Sequence, residues 1–384
     1  MKQSFCIVTA FFNYDYNIRI KYLEQFLERH GIDVNIVSAD YDHRKKEKLM
    51  VKKKNLTLLH VPSYKRNLSI KRIWSHFVFS FKAYRYCKEQ KPDFLYVITP
   101  PNFLFLFFSR FKKEESNIRL VYEFEDLWPE TLPVPNKIRI CLSPILWSWR
   151  IIRDWNLNKA DGLVFECNLF NKYICGHSHI NSLTETIYLT KETEEYRIEE
   201  NSNKELSFLY LGSVNNIIDI DLIIEFMLSV NRFRKSKLII IGGGDNIDDF
   251  INKCKYKGVD YKLHGFVYDS TEKLNILSKC DFAFNVMKES VFVGATMKSL
   301  EYFHYGIPLI NTIGGDTTEM VDKYQCGYNV NRKNIDKITQ IISEASDEDI
   351  FKMRLSSRRV YEQYFTENSF YSKFDDFFNR LALS

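Results

Sequence analysis

The chain has 384 residues, of which 45% are hydrophobic and 27% charged, with a formal net charge of +5; that length exceeds what one hydrophobic core holds and predicts two domains. The balance excludes a disordered or fibrous chain, and the longest apolar run, residues 103–108, is far below the roughly 20 residues of a membrane span. Eight cysteines stand singly, without a Cys-x-x-Cys pair or zinc-spaced His/Cys cluster, which excludes a disulfide framework and reads as reduced thiols in a cytoplasmic protein.

In chain order, a strand at residues 5–10 begins at once, too closely and too poorly flanked for a signal peptide. A helix at 18–30 ends at Gly31, strands follow at 34–38 and 56–61, and an amphipathic helix covers 70–89. A strand at 94–98, the pair Pro100-Pro101, an apolar helix, and strands at 120–124 and 163–165 complete this half. Residues 1–190 hold 29 Lys/Arg against 19 Asp/Glu, whereas the remainder holds 25 against 30. The basic excess is densest at residues 44–54 and 65–72, including Lys71 and Arg72. It reads either as solvated faces or as attraction to an anionic membrane or a phosphate-bearing acceptor. No recognition motif accompanies it, so nucleic acid is not expected.

Residues 191–205 are polar and lack apolar periodicity, which marks a linker between a domain at 1–190 and one at 206–364. Beyond it, strands are expected at 206–211, 237–241, 261–264, 282–286 and 308–311, alternating with helices at 219–233, 248–257, 271–279 and 297–305. Alternation of this kind in both halves predicts an α/β protein of two Rossmann-like, doubly wound parallel sheets facing a cleft. The stretch 347–381 is helical in pattern, and its end, 365–384, is expected to pack back on the first domain.

The densest chemistry lies in residues 293–311. Gly294-Ala295-Thr296 forms a small-residue turn before a helix, whose free N–H groups and dipole favour an anion. Lys298 adds a full charge in the first turn, and Glu301 lies on the same helical face, where a carboxylate accepts both hydroxyls of a ribose. The pattern therefore reads either as a nucleotide-diphosphate site or as a capped structural helix. Gly242 to Gly244 lack the third glycine of a dinucleotide fingerprint and read as a tight turn. His177 and His179 make a poor metal site.

This segment resembles the donor site of retaining GT-B glycosyltransferases of family four. The run Phe208 to Ser213, the run Ile239 to Asp245, and His264-Gly265-Phe266-Val267 fall in the family's order, so the resemblance spans residues 206–330. In the first half, Thr99-Pro100-Pro101 and Asp126-Leu127-Trp128-Pro129-Glu130 resemble the signature of members from O-antigen and capsule clusters. The resemblance implies transfer with retention from a nucleotide-diphosphate sugar, a UDP-sugar above all, to a glycan or polyprenyl-phosphate-linked acceptor. Lys298 and the turn amides would hold the diphosphate and Glu301 the ribose. Gly212, Ser213 and Asn216 would line the donor, and backbone near Phe266 and Val267 the base. Asp126 and Glu130 would orient or deprotonate an acceptor hydroxyl. No cofactor or metal is implied, because Lys298 and the helix dipole neutralise the diphosphate.

Two features depart from the family. Val293 stands where an acidic residue is common, eight before Glu301, and Ser213, Asn215 and Asn216 stand where an Arg and a Lys often hold the pyrophosphate. A nucleotide-sugar epimerase, or a silent nucleotide-sugar-binding scaffold, stays open beside the transferase.

Overall fold

Each run predicted as a strand in the first half pairs in parallel with a neighbour in a single sheet. The computed structural model describes residues 4–14, 18–67, 69–132, 134, 136–193, 197–200 and 205–383. Part of the expected linker, 194–196 and 201–204, lies outside them. The chain divides into two units, Met1–Tyr188 with Tyr371–Ser384, and Leu189–Phe370.

In chain order the first unit contains β1 (Ser4–Thr9), α1 (Ile18–Arg29), β2 (Asp33–Ala39), β3 (Tyr41–Asp42), β4 (Glu47–Lys48), β5 (Leu56–Leu59), α2 (Ile70–Gln90) and β6 (Phe94–Thr99). There follow α3 (Phe103–Glu114), β7 (Arg119–Phe124), α4 (Asn136–Cys141), α5 (Ser143–Asp154), β8 (Gly162–Phe165), α6 (Asn168–His177) and β9 (Leu183–Thr186). The sheet runs β5-β2-β1-β6-β7-β8-β9, so the strand order reverses between β1 and β6. Ligands of such sheets bind beyond the strand C-termini around that reversal. Strand β9, sequence Leu-Thr-Glu-Thr, escapes the hydropathy pattern because it is a half-buried edge.

In the second unit come β10 (Leu206–Leu211), α7 (Ile220–Asn231), β11 (Ser236–Ile241), α8 (Ile247–Lys257), β12 (Tyr261–Gly265), α9 (Ser270–Leu277), β13 (Phe282–Asn285) and α10 (Met297–His304). They continue as β14 (Leu309–Asn311), α11 (Asp316–Tyr324), β15 (Gly327–Asn329), α12 (Ile335–Glu344) and α13 (Asp347–Tyr364). Its parallel sheet, β12-β11-β10-β13-β14-β15, reverses between β10 and β13. Fully buried Phe208, Phe226, Phe282 and Phe284 pack as a ring cluster beneath that point.

The helical stretch at the C-terminus is two helices. After α13, Thr366 accepts from the Ser369 amide and starts α14 (Glu367–Leu383). From Tyr371 onward α14 belongs to the first unit. Its Phe378 meets Phe5, Phe26 and Phe94, each with ring centroids 5.8 Å apart. Phe377 lies so close that a Cβ on Gly162 would come within 2.6 Å of its ring. No helix among the described residues is long and apolar enough to cross a membrane.

Candidate functional site

In the second unit the apolar strand β10 ends at Gly212, whose φ of +113° favours glycine. The next turn, Gly242 to Gly244, lies directly against it: a Cβ on Gly242 would sit 2.2 Å from the Gly212 carbonyl oxygen. The Val214 amide donates to the Gly243 carbonyl at 2.7 Å, which ties the two turns together. The expected tight turn at 242–244 is thus half of a pair of interlocked backbone turns.

Lys298 occupies the space above the first turn, its Cε 3.1 Å from where a Gly212 Cβ would lie. Its ammonium donates to the Tyr210 hydroxyl at 2.6 Å and sits 4.2 Å from that ring's centroid. The Tyr210 hydroxyl in turn donates to the Ser213 carbonyl. Burial away from any carboxylate pushes Lys298 down to about 8, so an incoming anion would restore what desolvation costs the ammonium.

Helix α10 begins at Thr296 with a capping box: the Ser299 amide donates to the Thr296 hydroxyl at 3.0 Å, and the Thr296 amide to the Ser299 hydroxyl at 3.1 Å. Thr296 also donates to the buried Asn285 side chain at 3.0 Å, and Asn285 donates to Asn311 at 3.0 Å. These two asparagines end β13 and β14, and their amides fix the helix start from below. Gly294 is anchored through its carbonyl by the amide and hydroxyl of Thr317. Ala295, half-buried, completes the turn. Ser213, Thr296 and Lys298 therefore converge on the ends of β10 and β13.

Glu301, one turn along α10, pairs with Lys191 at 3.2 Å and with Lys273 of α9. Burial works to raise its carboxyl, but the two ammonium groups hold it below the usual range. It is an anchored carboxylate. Lys191 is itself stacked 4.6 Å from the Tyr305 centroid. Neither lysine was expected, since they lie 110 and 28 residues from Glu301 in sequence. Asn216 accepts from Asn246 at the surface, and Phe266 stacks on exposed Tyr268 while covering Gly243. Val267 is half-buried. The side chains of Phe266 and Tyr268 are the largest exposed apolar groups on this rim.

In the first unit, Glu125 and Asp126 follow β7 and Glu166 follows β8. No helix begins at Asp126; it lies in a bend before buried Leu127 and Trp128. Its side chain keeps solvent access, yet the surrounding protein pushes its carboxyl up to about 6 against the opposing effects of Thr131, Trp128 and Arg72. Glu166 is pushed well above the usual range by burial and by the charge of Glu125. Arg72, read in the sequence as part of a basic surface run, instead packs 4.9 Å from the Trp128 centroid. Buried His76 accepts from the Arg72 Nε at 3.4 Å, stacks on the same indole, and is driven well below its ordinary value by desolvation.

Glu130 has a different setting from Asp126. Its carboxylate accepts from Arg153 at 2.6 Å, from Arg150 at 2.9 Å and from the Tyr173 hydroxyl at 3.2 Å. Burial raises its carboxyl, but the Arg153 guanidinium outweighs this and holds it low. Expected as an acid or base beside Asp126, Glu130 is committed to a buried ion pair that ties the loop to α5. Among the described residues, no group of three or more His, Cys, Asp or Glu is placed to hold a metal.

Residues 17–189 match the model for Glycosyltransferase Family 4, and residues 205–348 that for Glycosyl transferases group 1. Among solved structures the chain is similar to a sucrose-phosphate synthase from Thermosynechococcus elongatus, with 100% of both chains covered, TM-score 0.74 and 12% identity. It is also similar to the apo form of the lipopolysaccharide outer core galactosyltransferase WaaB, with 99% of each chain covered, TM-score 0.67 and 14% identity. A third likeness is to HepE of Anabaena in complex with UDP, covering 99% of this chain and 100% of that one, with TM-score 0.67 and 11% identity. No curated protein sequence matches the chain.

Proposed function

Because the chain is a glycosyltransferase of the GT-B type, with a family 4 domain in its first half and a group 1 domain in its second, we propose that it moves a sugar, with retention, from a UDP-sugar to a glycan or polyprenyl-linked acceptor in surface-polysaccharide synthesis. The observation that carries this reading is Lys298, half-buried without a carboxylate partner among the described residues and poised over the Gly212 turn beside the start of α10. An ammonium there, with the amides of Gly294 to Thr296, meets the charge that grows on the leaving diphosphate. Glu301 would take the ribose, with Lys191 and Lys273 keeping it ionised. The UDP carried by the similar Anabaena protein supports the choice of nucleotide. Asp126 would accept the proton of the acceptor hydroxyl, and Glu130 would hold the loop that presents it. A polyprenyl-linked acceptor would bring the chain to the inner face of an anionic membrane. No metal is needed in this reading.

Calorimetric titration with UDP tests the site. Lys298→Ala and Glu301→Ala are each expected to weaken UDP at least tenfold, and unchanged affinity in both would remove the donor assignment. For the intact protein, affinity should be level below pH 8 and decline above it by at most about tenfold per pH unit, because the bound state requires one proton that free Lys298 has lost. Lys298→Ala should abolish that slope. Val293, where an acidic residue is common, favours a second reading, binding without turnover. Product formation from a UDP-sugar, with its anomeric configuration read by NMR, decides between them and tests retention.

A further inference from the structure

We propose that Lys46 and Arg72 of the first unit form a phosphate site, and that the acceptor carries the phosphate they hold. This deepens the transferase reading and rests on it for its purpose, although its binding test reads separately.

The two basic runs of the first half meet through Asn67. The Lys46 ammonium donates to the Asn67 side-chain oxygen and to the His43 carbonyl. Arg72 Nη1 donates to the Asn67 backbone carbonyl at 3.0 Å. Both cations also lie against the buried ring of Tyr64, the ammonium 5.0 Å and the guanidinium carbon 5.8 Å from its centroid. The Tyr41 hydroxyl donates to the Tyr64 carbonyl and helps to fix that residue. Arg72 stacks on Trp128 as well, but stacking covers a guanidinium's face and leaves N–H groups at its edge for an anion.

Neither cation has a carboxylate at ion-pairing distance among the described residues. Other half-buried cations of this unit carry their own counterion: Lys53 meets Glu24, and Lys112 meets Asp161 at 2.9 Å. Asp42, the acid of the Lys46 loop, turns to amides instead, accepting from Arg44 and Lys45 at 2.8 and 3.0 Å and from Asn13 at 3.1 Å. Desolvation and then the charge of Arg72 push Lys46 down, and desolvation pushes Arg72 down. The charges of Asp42 and Asp126 act in the opposite sense without outweighing this. His43 is driven down to about 4 by burial and by Arg72, so near neutral pH it adds no charge of its own. A bound anion would relieve both the desolvation and the crowding of like charge.

Two cations at one place select a ligand with more than one charge and several acceptor oxygens. A phosphate group offers both, whereas a carboxylate offers a single charge. The position says which substrate brings it. Arg72 stacks on Trp128, two residues beyond Asp126, and the Asp126 carboxyl feels its charge. The hydroxyl assigned to Asp126 and the phosphate at Arg72 then belong to one molecule. That molecule is a sugar that is itself phosphorylated, either free or joined through its phosphate to a lipid.

Calorimetric titration of the UDP-saturated full chain with pyrophosphate tests the proposal, since UDP then occupies the Lys298 site. The expected result is one further molecule bound, with affinity lowered at least tenfold by Lys46→Asn and by Arg72→Gln. Lys46 has a φ of +61°, which asparagine tolerates, so the first variant removes the charge without new strain. Its UDP affinity and melting temperature should stay near the parent values. Absence of pyrophosphate binding overturns the proposal, as does parent affinity in either variant. Farnesyl diphosphate and glucose 1-phosphate, titrated in the same way, separate the sources. Tighter binding of the first assigns the phosphate to a lipid carrier and of the second to a phosphorylated sugar, and either supports the site. UDP titration reads the donor site independently, so failure here is distinct from failure of the transferase reading.

Discussion

Asp126 and Glu130 are four residues apart, chemically alike, and set to opposite tasks by their surroundings. Glu130 faces two guanidinium groups and stays ionised. Asp126 is solvent-accessible but crowded, and holds its proton up to about pH 6. Because the folded state binds this proton more tightly than the unfolded chain, the carboxyl favours the fold at low pH and loses that contribution as pH rises from about 4 to about 6. Asp126→Asn should therefore raise the melting temperature at pH 8 and leave it unchanged near pH 4. Transfer should fall in the parent as pH drops through about 6, and the Asn variant should lose both the rate and that limb. Scanning fluorimetry and a pH–rate profile check these outcomes. A stable variant that kept full activity would remove Asp126 from proton transfer.

At the level of elements, the interlocked turns after β10 and β11 set the floor on which Lys298 rests. Gly242→Ala places a methyl group on the Gly212 carbonyl at a backbone angle that alanine resists. It should cost more than about 1 kcal/mol and weaken UDP binding as well, which denaturant melts and calorimetry together report. The strands, the α10 turn, Lys298 and Glu301 were legible because they fall within short windows whose spacing is itself the signal. The partners of Glu301 were not, since Lys191 and Lys273 reach it only after the chain has folded. Arg72 sits beside Lys71, and adjacency gave no sign that one points to water and the other onto Trp128. Three-residue β15 and the polar edge β9 are too short or too hydrophilic to show a period at all.

At the scale of the molecule, residues 371–384 complete a unit whose other members end at Tyr188. Phe374, Phe377 and Leu381 are fully buried there. Ending the chain at Phe370 should leave the second unit able to bind UDP, while the first unit melts early and exposes Phe5, Phe26 and Phe94 to a hydrophobic dye. Phe377→Ala alone should cost about 3–5 kcal/mol, and dye-free melts of that variant separate packing from truncation. The arrangement also sets a timetable. A ribosome making roughly 5–20 residues per second needs about 10–40 s to pass from Tyr188 through the second unit to Tyr371. The first unit, although made first, therefore cannot finish folding until the last helix leaves the exit tunnel. Its bare aromatic surface waits through that interval, so the translation of residues 371–384 sets when the first half of the enzyme can close.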